Sequence, residues 1–104
     1  MAQIQATKNR QTYDELSKFA NQQSVMDALE RAGKDRTLLR KAKQDAKAYL
    51  RGEGISLPPR ADVTVTERRI AVGQIRICIT VCRQVGSAVV CVTLCTRIIV
   101  IAIS

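Results

Sequence analysis

Thiol and hydroxyl side chains are concentrated in the last third of this 104-residue sequence. The four cysteines are Cys78, Cys82, Cys91 and Cys95. The hydroxyl residues Thr80, Ser87, Thr93 and Thr96 lie among and beside them. Two thiols can join as a disulfide, or a thiolate can add to the alkene left when Ser or Thr loses water, which makes a thioether ring. The tail therefore carries candidates for covalent crosslinking.

The spacing of these residues predicts an antiparallel hairpin. Apolar and polar residues alternate on both sides of Gly86-Ser87, and Gly at the first position of a two-residue loop favours a type II′ turn. Counting outward from that turn places both cysteine pairs at non-hydrogen-bonded positions, where Cα atoms approach to about 4.5 Å, so two cross-strand disulfides fit. The predicted register joins like with like: Cys82 with Cys91, Thr80 with Thr93, Cys78 with Cys95, and Arg76 with Arg97.

The charges divide the chain into two parts. The net charge is +8, yet all nine acids lie between Asp14 and Glu67, and the segment from Gln74 onward carries only arginines as charged residues. Histidine is absent, which excludes a Ser-His-Asp triad and zinc sites that use His. We expect no enzyme activity, no cofactor and no metal.

The beginning of the chain and its hydropathy bear on localisation. The first ten residues are polar and lack the apolar stretch of a signal peptide. The longest uncharged run of the tail, residues 84–96, is shorter than the roughly 20 residues of a spanning helix and is rich in β-branched residues. We expect synthesis in the cytoplasm and no transmembrane helix.

The part before the tail has helical periodicity. Thr12 to Glu15 has the form of a capping box, a second start signal lies at Ser24, and Asp35 can cap a third helix that runs to about Arg51. The alternation over residues 62–67 predicts a half-exposed strand. The expected fold class is α+β: about three short helices within residues 12–51, one strand, and a tail that is extended, hairpin-like, or disordered when free and unmodified.

Three consecutive motifs point to a known family. Lys47-Ala48-Tyr49-Leu50 ends a helix, Gly54-Ile55-Ser56-Leu57-Pro58 forms a turn, and Val63-Thr64-Val65-Thr66-Glu67 forms a strand. In this order, over about residues 13–67, they resemble the nitrile-hydratase-like leader peptide family. That family includes the leaders of proteusins, which are bacterial precursors of ribosomally made, post-translationally modified peptides.

The resemblance implies a leader of residues 1–73 and a core peptide of residues 74–104. The leader would recruit a dehydratase and cyclase that form lanthionine rings, a radical epimerase, and an arginase that converts Arg to ornithine. A peptidase and transporter would cut between Gly73 and Gln74 and export the core as an antimicrobial, membrane-directed peptide. Implied dehydration sites are Thr80, Ser87, Thr93 and Thr96, and implied ring sites are Cys78, Cys82, Cys91 and Cys95. Implied arginine-modification sites are Arg76, Arg83 and Arg97, and implied enzyme-recognition residues are Leu50, Ile55, Leu57, Val63 and Val65.

A metal site has also to be considered, because the nitrile hydratase α subunit holds its metal with a Cys-x-x-Cys-Ser-Cys motif. Cys91 to Thr96 is only faintly similar to that motif. The spacing between its cysteines is one residue longer, and Thr96 stands in place of the third cysteine. We therefore predict that these residues hold no metal.

Three further interpretations compete with the modified precursor. The chain can be a cationic β-hairpin defence peptide whose disulfides form after export. It can be a small nucleic-acid-binding protein that uses the basic side of the third helix, although no stacking aromatic array accompanies the charge. Finally, the tail can supply ordinary strands of a small domain with buried cysteines, although short helices are expected to cover its row of aliphatic side chains only in part. We favour the precursor and expect no nucleic-acid partner.

Overall fold

A computed structural model describes residues 2–101 of the chain, and it confirms the α+β class. Four helices come first: α1 (Ala2–Ala20), α2 (Gln23–Lys34), α3 (Arg36–Gln44) and α4 (Ala46–Gly52). Four strands follow: β1 (Asp62–Ala71), β2 (Gln74–Val85), β3 (Ala88–Cys95) and β4 (Ile99–Val100).

The helix boundaries agree with the sequence at one cap and differ at two. Asp35 caps α3 as predicted, since its carboxylate accepts hydrogen bonds from the amides of Thr37 (2.9 Å) and Leu38 (3.3 Å). The predicted third helix is in fact two, because Asp45 takes a non-helical conformation and caps α4 through the Ala48 amide at 3.0 Å. The start at Thr12 is wrong: α1 begins at Ala2, and Thr12 lies buried inside it. Residues 2–11 are mostly good helix formers, and this propensity extends the helix without an apolar pattern.

The sheet is an antiparallel meander with β2 in the centre. β1 and β3 pair with opposite edges of β2, and β4 continues the β3 side by pairing Val100 with Gln74. β1 runs to Ala71, four residues past the predicted strand, and carries an irregularity between Arg69 and Ala71. The turn at Gly86 has the predicted type II′ form, because Gly86 has a φ of 62° while Ser87 keeps a negative φ.

The helices cover one face of this sheet, which we call the inner face. α1 and α2 pack on β2, and α1 also packs on β3. The expectation that the helices would cover the tail only in part is therefore wrong for β2, whereas Val90 and Leu94 of β3 are only partly buried. The alternating aliphatic residues of β2 are the centre of the core, each at most 2% exposed: Ile75, Ile77, Ile79 and Val81. Up to residue 101 the tail is thus part of the sheet of the domain, with the inner face of β2 buried, as the interpretation of ordinary strands predicts.

Candidate functional site on the crosslinked hairpin

The four cysteines lie on the face of the sheet opposite the helices, which we call the outer face. They form two disulfides, Cys78–Cys95 and Cys82–Cys91, with Cα atoms 3.9 and 4.1 Å apart. This close approach is that of non-hydrogen-bonded positions, and the pairing matches the predicted register. Strand register thus decides which cysteine meets which, and β2 and β3 are joined twice by covalent bonds.

The four hydroxyl candidates differ in accessibility. Ser87 is exposed at the tip of the β2–β3 turn. Thr80 and Thr93 lie between the two disulfides on the outer face, where their hydroxyl oxygens are 2.9 Å apart in a mutual hydrogen bond. Thr96 is buried: its hydroxyl accepts from the Ile77 amide at 3.1 Å and donates to the Arg97 carbonyl at 2.9 Å. In the folded chain a modifying enzyme could reach Ser87 most easily and Thr96 least.

Arg83 joins the hairpin to the rest of the chain. Its guanidinium donates to both carboxylate oxygens of Glu15, at 2.7 and 3.0 Å, and its Nε donates to the Pro59 carbonyl at 3.1 Å. These hydrogen bonds hold the pKa of the Glu15 carboxyl below its ordinary value and raise the pKa of Arg83. Sequence analysis missed Glu15 and Pro59, since 68 residues separate Glu15 from Arg83 and no local spacing relates them.

The other two arginine candidates are more accessible. The predicted pair of Arg76 with Arg97 is wrong, because regular pairing between β2 and β3 ends at Cys78–Cys95. Arg97 instead donates through Nε to Glu30 at 3.0 Å, with most of its side chain exposed. Arg76 is exposed and lies opposite Arg68 of β1. An arginase acting on the folded chain would therefore reach Arg76 and Arg97 before Arg83.

The predicted cleavage point lies in the tight turn between β1 and β2. Val72 is 86% exposed, and Gly73 has a φ of 75°, a left-handed conformation that favours glycine. The Gly73 carbonyl accepts a hydrogen bond from the Ile101 amide at 2.8 Å. A protease approaching from solvent thus meets Val72 first.

The five recognition candidates are mainly internal. Leu50, Ile55 and Val65 are buried in the core, while Leu57 and Val63 are partly buried against it. Their side chains are therefore largely unavailable at the surface of the folded domain. A modifying enzyme would have to recognise this region through groups other than these side chains.

The backbone of β1 offers amide groups that a modifying enzyme could recognise. The Thr96 amide donates to the Ile77 carbonyl, so Ile77 and every second residue along β2 direct their backbone groups toward β3. The alternate residues of β2 bond to β1, which leaves Val63, Val65 and Glu67 with amides directed away from the sheet. Within residues 2–101, no backbone hydrogen bond from another element reaches these amides. β1 is an edge strand open to pairing.

The basic side of the predicted third helix is partly neutralised by the same strand. Lys43 lies 3.4 Å from Glu67, and Lys47 lies 4.0 Å from Asp62. These two lysines are therefore not part of an unopposed cationic surface. The observation gives no support to a nucleic-acid interface on α3 and α4.

Comparison with known proteins adds no further assignment, since neither a family model nor a curated protein nor a solved structure matches the chain.

Proposed function

We propose that the chain is a precursor in which residues 1–73 fold around a core peptide of residues 74–104 and keep it inactive until cleavage near Gly73. The observation that carries this proposal is that the helices bury the aliphatic face of the tail while the junction turn stays exposed. An isolated hairpin with such an exposed aliphatic face would be prone to aggregate in water. Covering it keeps the chain soluble until release.

Release would turn this arrangement into an amphipathic peptide. The freed segment carries Arg76, Arg83 and Arg97 and no acid, and it exposes the aliphatic row that the helices had covered. Cationic charge together with one apolar face is the combination that binds anionic membranes. We therefore assign the released peptide an antimicrobial role at the membrane.

The crosslinks of the released peptide depend on the compartment. Disulfides persist outside the cytoplasm, so Cys78–Cys95 and Cys82–Cys91 fit a peptide that is oxidised during or after export. This is the disulfide-bonded defence peptide in precursor form.

Thioether formation is a second candidate, favoured by the exposed position of Ser87 in the turn. It requires reduced cysteines, so the dehydratase and cyclase would have to act in the cytoplasm before any disulfide forms. Coexpression with such enzymes should yield species lighter by one water per dehydrated residue, with blocked thiols. Unchanged intact mass together with four thiols that alkylate after reduction would refute the thioether route.

Recruitment of these enzymes is best explained by strand addition to β1. Proline is tolerated on an edge strand where its missing amide faces solvent. Val63→Pro removes an outward amide and should weaken enzyme binding at least tenfold while the domain stays folded. Lys43→Ala, which removes only the ion pair with Glu67, is the control and should have little effect. Equal effects of the two substitutions would contradict recognition through the strand.

The release mechanism is tested by cutting the oxidised full-length chain at the junction. Elastase, which cuts after small residues, should act first at Ala71 or Val72, because this turn is exposed. Mass spectrometry identifies the two fragments, and leakage of dye from phosphatidylglycerol-containing vesicles measures the activity. We expect leakage after cleavage and none before it.

Two results would contradict the proposal. The nicked chain could separate into its fragments without causing leakage, or the uncut chain could cause as much leakage as the cut one. A control digestion of Val72→Pro, which blocks cutting beside the turn, should delay fragment release and leakage together.

A further inference from the structure

The end of the sheet at the β1–β2 turn exposes four large aliphatic side chains. Ile70 and Val72 are 46% and 86% exposed, and Ile98 and Val100 are 43% and 75% exposed. Val100 pairs with Gln74, and the Ile101 amide bonds to Gly73, so residues 98–101 lie beside the β1–β2 turn. We call the set Ile70, Val72, Ile98 and Val100 the apolar tip.

Arginines without acidic partners flank the apolar tip. Arg68 and Arg76 lie directly opposite each other in the β1–β2 pair, and Arg69 follows Arg68. Within residues 2–101, none of these three forms an ion pair, and no acidic residue follows Glu67 in the sequence. Like charges directly opposite in a sheet destabilise it, and an anionic surface would relieve that repulsion.

We infer that the apolar tip and its arginines dock the uncleaved chain onto an anionic lipid bilayer. The aliphatic side chains would enter the boundary between headgroups and acyl chains, while the guanidinium groups contact lipid phosphates. A nucleic acid fits this surface less well, because the chain has only three aromatic residues, none of them in this part of the sequence, and stacking needs such groups.

The inference concerns docking of the intact precursor and does not depend on release of the core peptide. Docking differs from permeabilisation, since an amphipathic surface can bind to one leaflet without disrupting it. Among the helices of residues 2–101, none has the length together with the hydropathy of a membrane-spanning segment.

Val72→Asp and Val89→Asp form a matched pair for the test. Both residues are exposed valines near a hairpin turn, Val72 at the apolar tip and Val89 at 65% exposure beside the opposite turn. The two variants therefore have the same net charge, and both changes lie at the surface. Circular dichroism of each variant establishes that the fold is retained.

The measurement is co-sedimentation of the oxidised, uncleaved chain with vesicles of phosphatidylcholine alone and of phosphatidylcholine mixed with phosphatidylglycerol. We expect binding to the anionic vesicles that weakens with rising salt. Val72→Asp should reduce partitioning about tenfold or more, and Arg68→Gln or Arg76→Gln about fivefold each. Val89→Asp should change it less than about twofold.

Several outcomes would overturn the docking inference. These are equal losses for Val72→Asp and Val89→Asp, binding that ignores the anionic lipid, or no binding at low salt. Size-exclusion chromatography gives another: a dimer that forms without lipid and is lost in Val72→Asp would assign the tip to a second copy of the chain. If the uncleaved chain does not bind the vesicles but the elastase-cut chain still causes leakage, the docking inference is wrong and the proposed function stands. If the uncleaved chain binds but cleavage causes no leakage, the proposed function is wrong and the docking inference stands.

Discussion

The two main hairpins of this sheet share β2, yet they are held together in different ways. β2 and β3 are joined by two disulfides as well as by their backbone ladder, whereas β1 and β2 are joined by the ladder and one turn. Cutting the chain at Gly73 would therefore leave β2 covalently attached to β3 and only non-covalently attached to β1. The disulfides would therefore keep β2 and β3 joined as a hairpin after separation from the helices.

Removing a disulfide is expected to cause the largest loss in the free energy of unfolding. Cys78–Cys95 closes the longer loop, with a sequence separation of 17, and its replacement by Ala at both positions should lower the free energy of unfolding by about 3 kcal/mol. Replacing Cys82–Cys91, with a separation of 9, should cost slightly less. Urea denaturation measures both. Stabilities unchanged from the native chain would mean that the crosslinks do not distinguish the two hairpins.

Disrupting the packing of the tail on α2 is expected to cause the next largest loss in the free energy of unfolding. A Cβ atom at Gly33 would lie 2.6 Å from Ile99 Cδ1 and 3.1 Å from Ile77 Cγ1, so a larger side chain must displace both tail residues. Gly33→Val should destabilise the chain by about 2 kcal/mol in urea denaturation. Gly52→Val is the control, because a Cβ atom at Gly52 would meet no atom within 4 Å, and it should shift stability by less than about 0.5 kcal/mol. Similar losses in both variants would argue against this contact.

The ion pair between α1 and β2 should contribute less. Arg83→Ala removes the bidentate contact with Glu15 and the bond to Pro59, and should cost about 1 kcal/mol near neutral pH, since Glu15 is half exposed. The pKa of Glu15 is lowered in the folded chain, so this contribution is present above its ordinary value of 4.5 and is lost as the pH falls through the lowered value.

Arg76→Ala is the matched control for Arg83→Ala. Arg76 lies opposite Arg68 without an ion pair among the described residues, so its removal should leave stability unchanged or raise it by up to about 0.5 kcal/mol. Urea denaturation at pH 7 and pH 3 compares the two variants. A larger loss of stability for Arg76→Ala than for Arg83→Ala would contradict our assignment of Arg83 as the arginine that joins the hairpin to the rest of the chain.

A hydrogen bond within the helices has an expected effect of the same size as the Arg83 contact, and it tests whether the helices are a separate source of stability. The hydroxyl of Tyr49 is buried and donates to the Ala28 carbonyl at 2.6 Å, so Tyr49→Phe should cost about 1 kcal/mol. Burial, together with the Glu53 carboxylate, raises the pKa of Tyr49 to about 12. The stabilising difference between the native chain and Tyr49→Phe should therefore be complete below pH 10 and decline as the pH rises toward 12.

Thermal unfolding at pH 8, 10 and 12 measures this difference. Tyr13→Phe, at a tyrosine that is 52% exposed, is the control and should leave stability near that of the native chain at pH 8. A constant difference between the native chain and Tyr49→Phe across this range would contradict a role for the buried hydroxyl.

The crosslinked hairpin was the most predictable part of the fold. Strand residues alternate between two faces, and one glycine-led turn fixes which residues meet, so the pairing of Cys82 with Cys91 follows from counting alone. The helix boundaries were less predictable. Asp45 has the same residue type as the cap at Asp35, but the apolar periodicity continues across it and conceals the break between α3 and α4.

Coverage of the tail could not be deduced locally. It depends on α1 and α2 folding back over strands that lie many tens of residues later, and on small residues such as Gly33 that permit close approach. The same holds for Arg83, whose partners Glu15 and Pro59 are distant in sequence. Long-range packing, rather than local propensity, decided which face of the tail is exposed and which arginine is held.

The central position of β2 has a consequence for the order of events during synthesis. A ribosome delivers α1 to α4 and β1 first, but β1 has no partner strand, and the helices have no inner face to cover, until β2 has been made. The helices and β1 therefore cannot complete the core of the domain before β2 has been synthesised. The nascent chain therefore exposes the core-facing residues of its helices until β2 has left the ribosome.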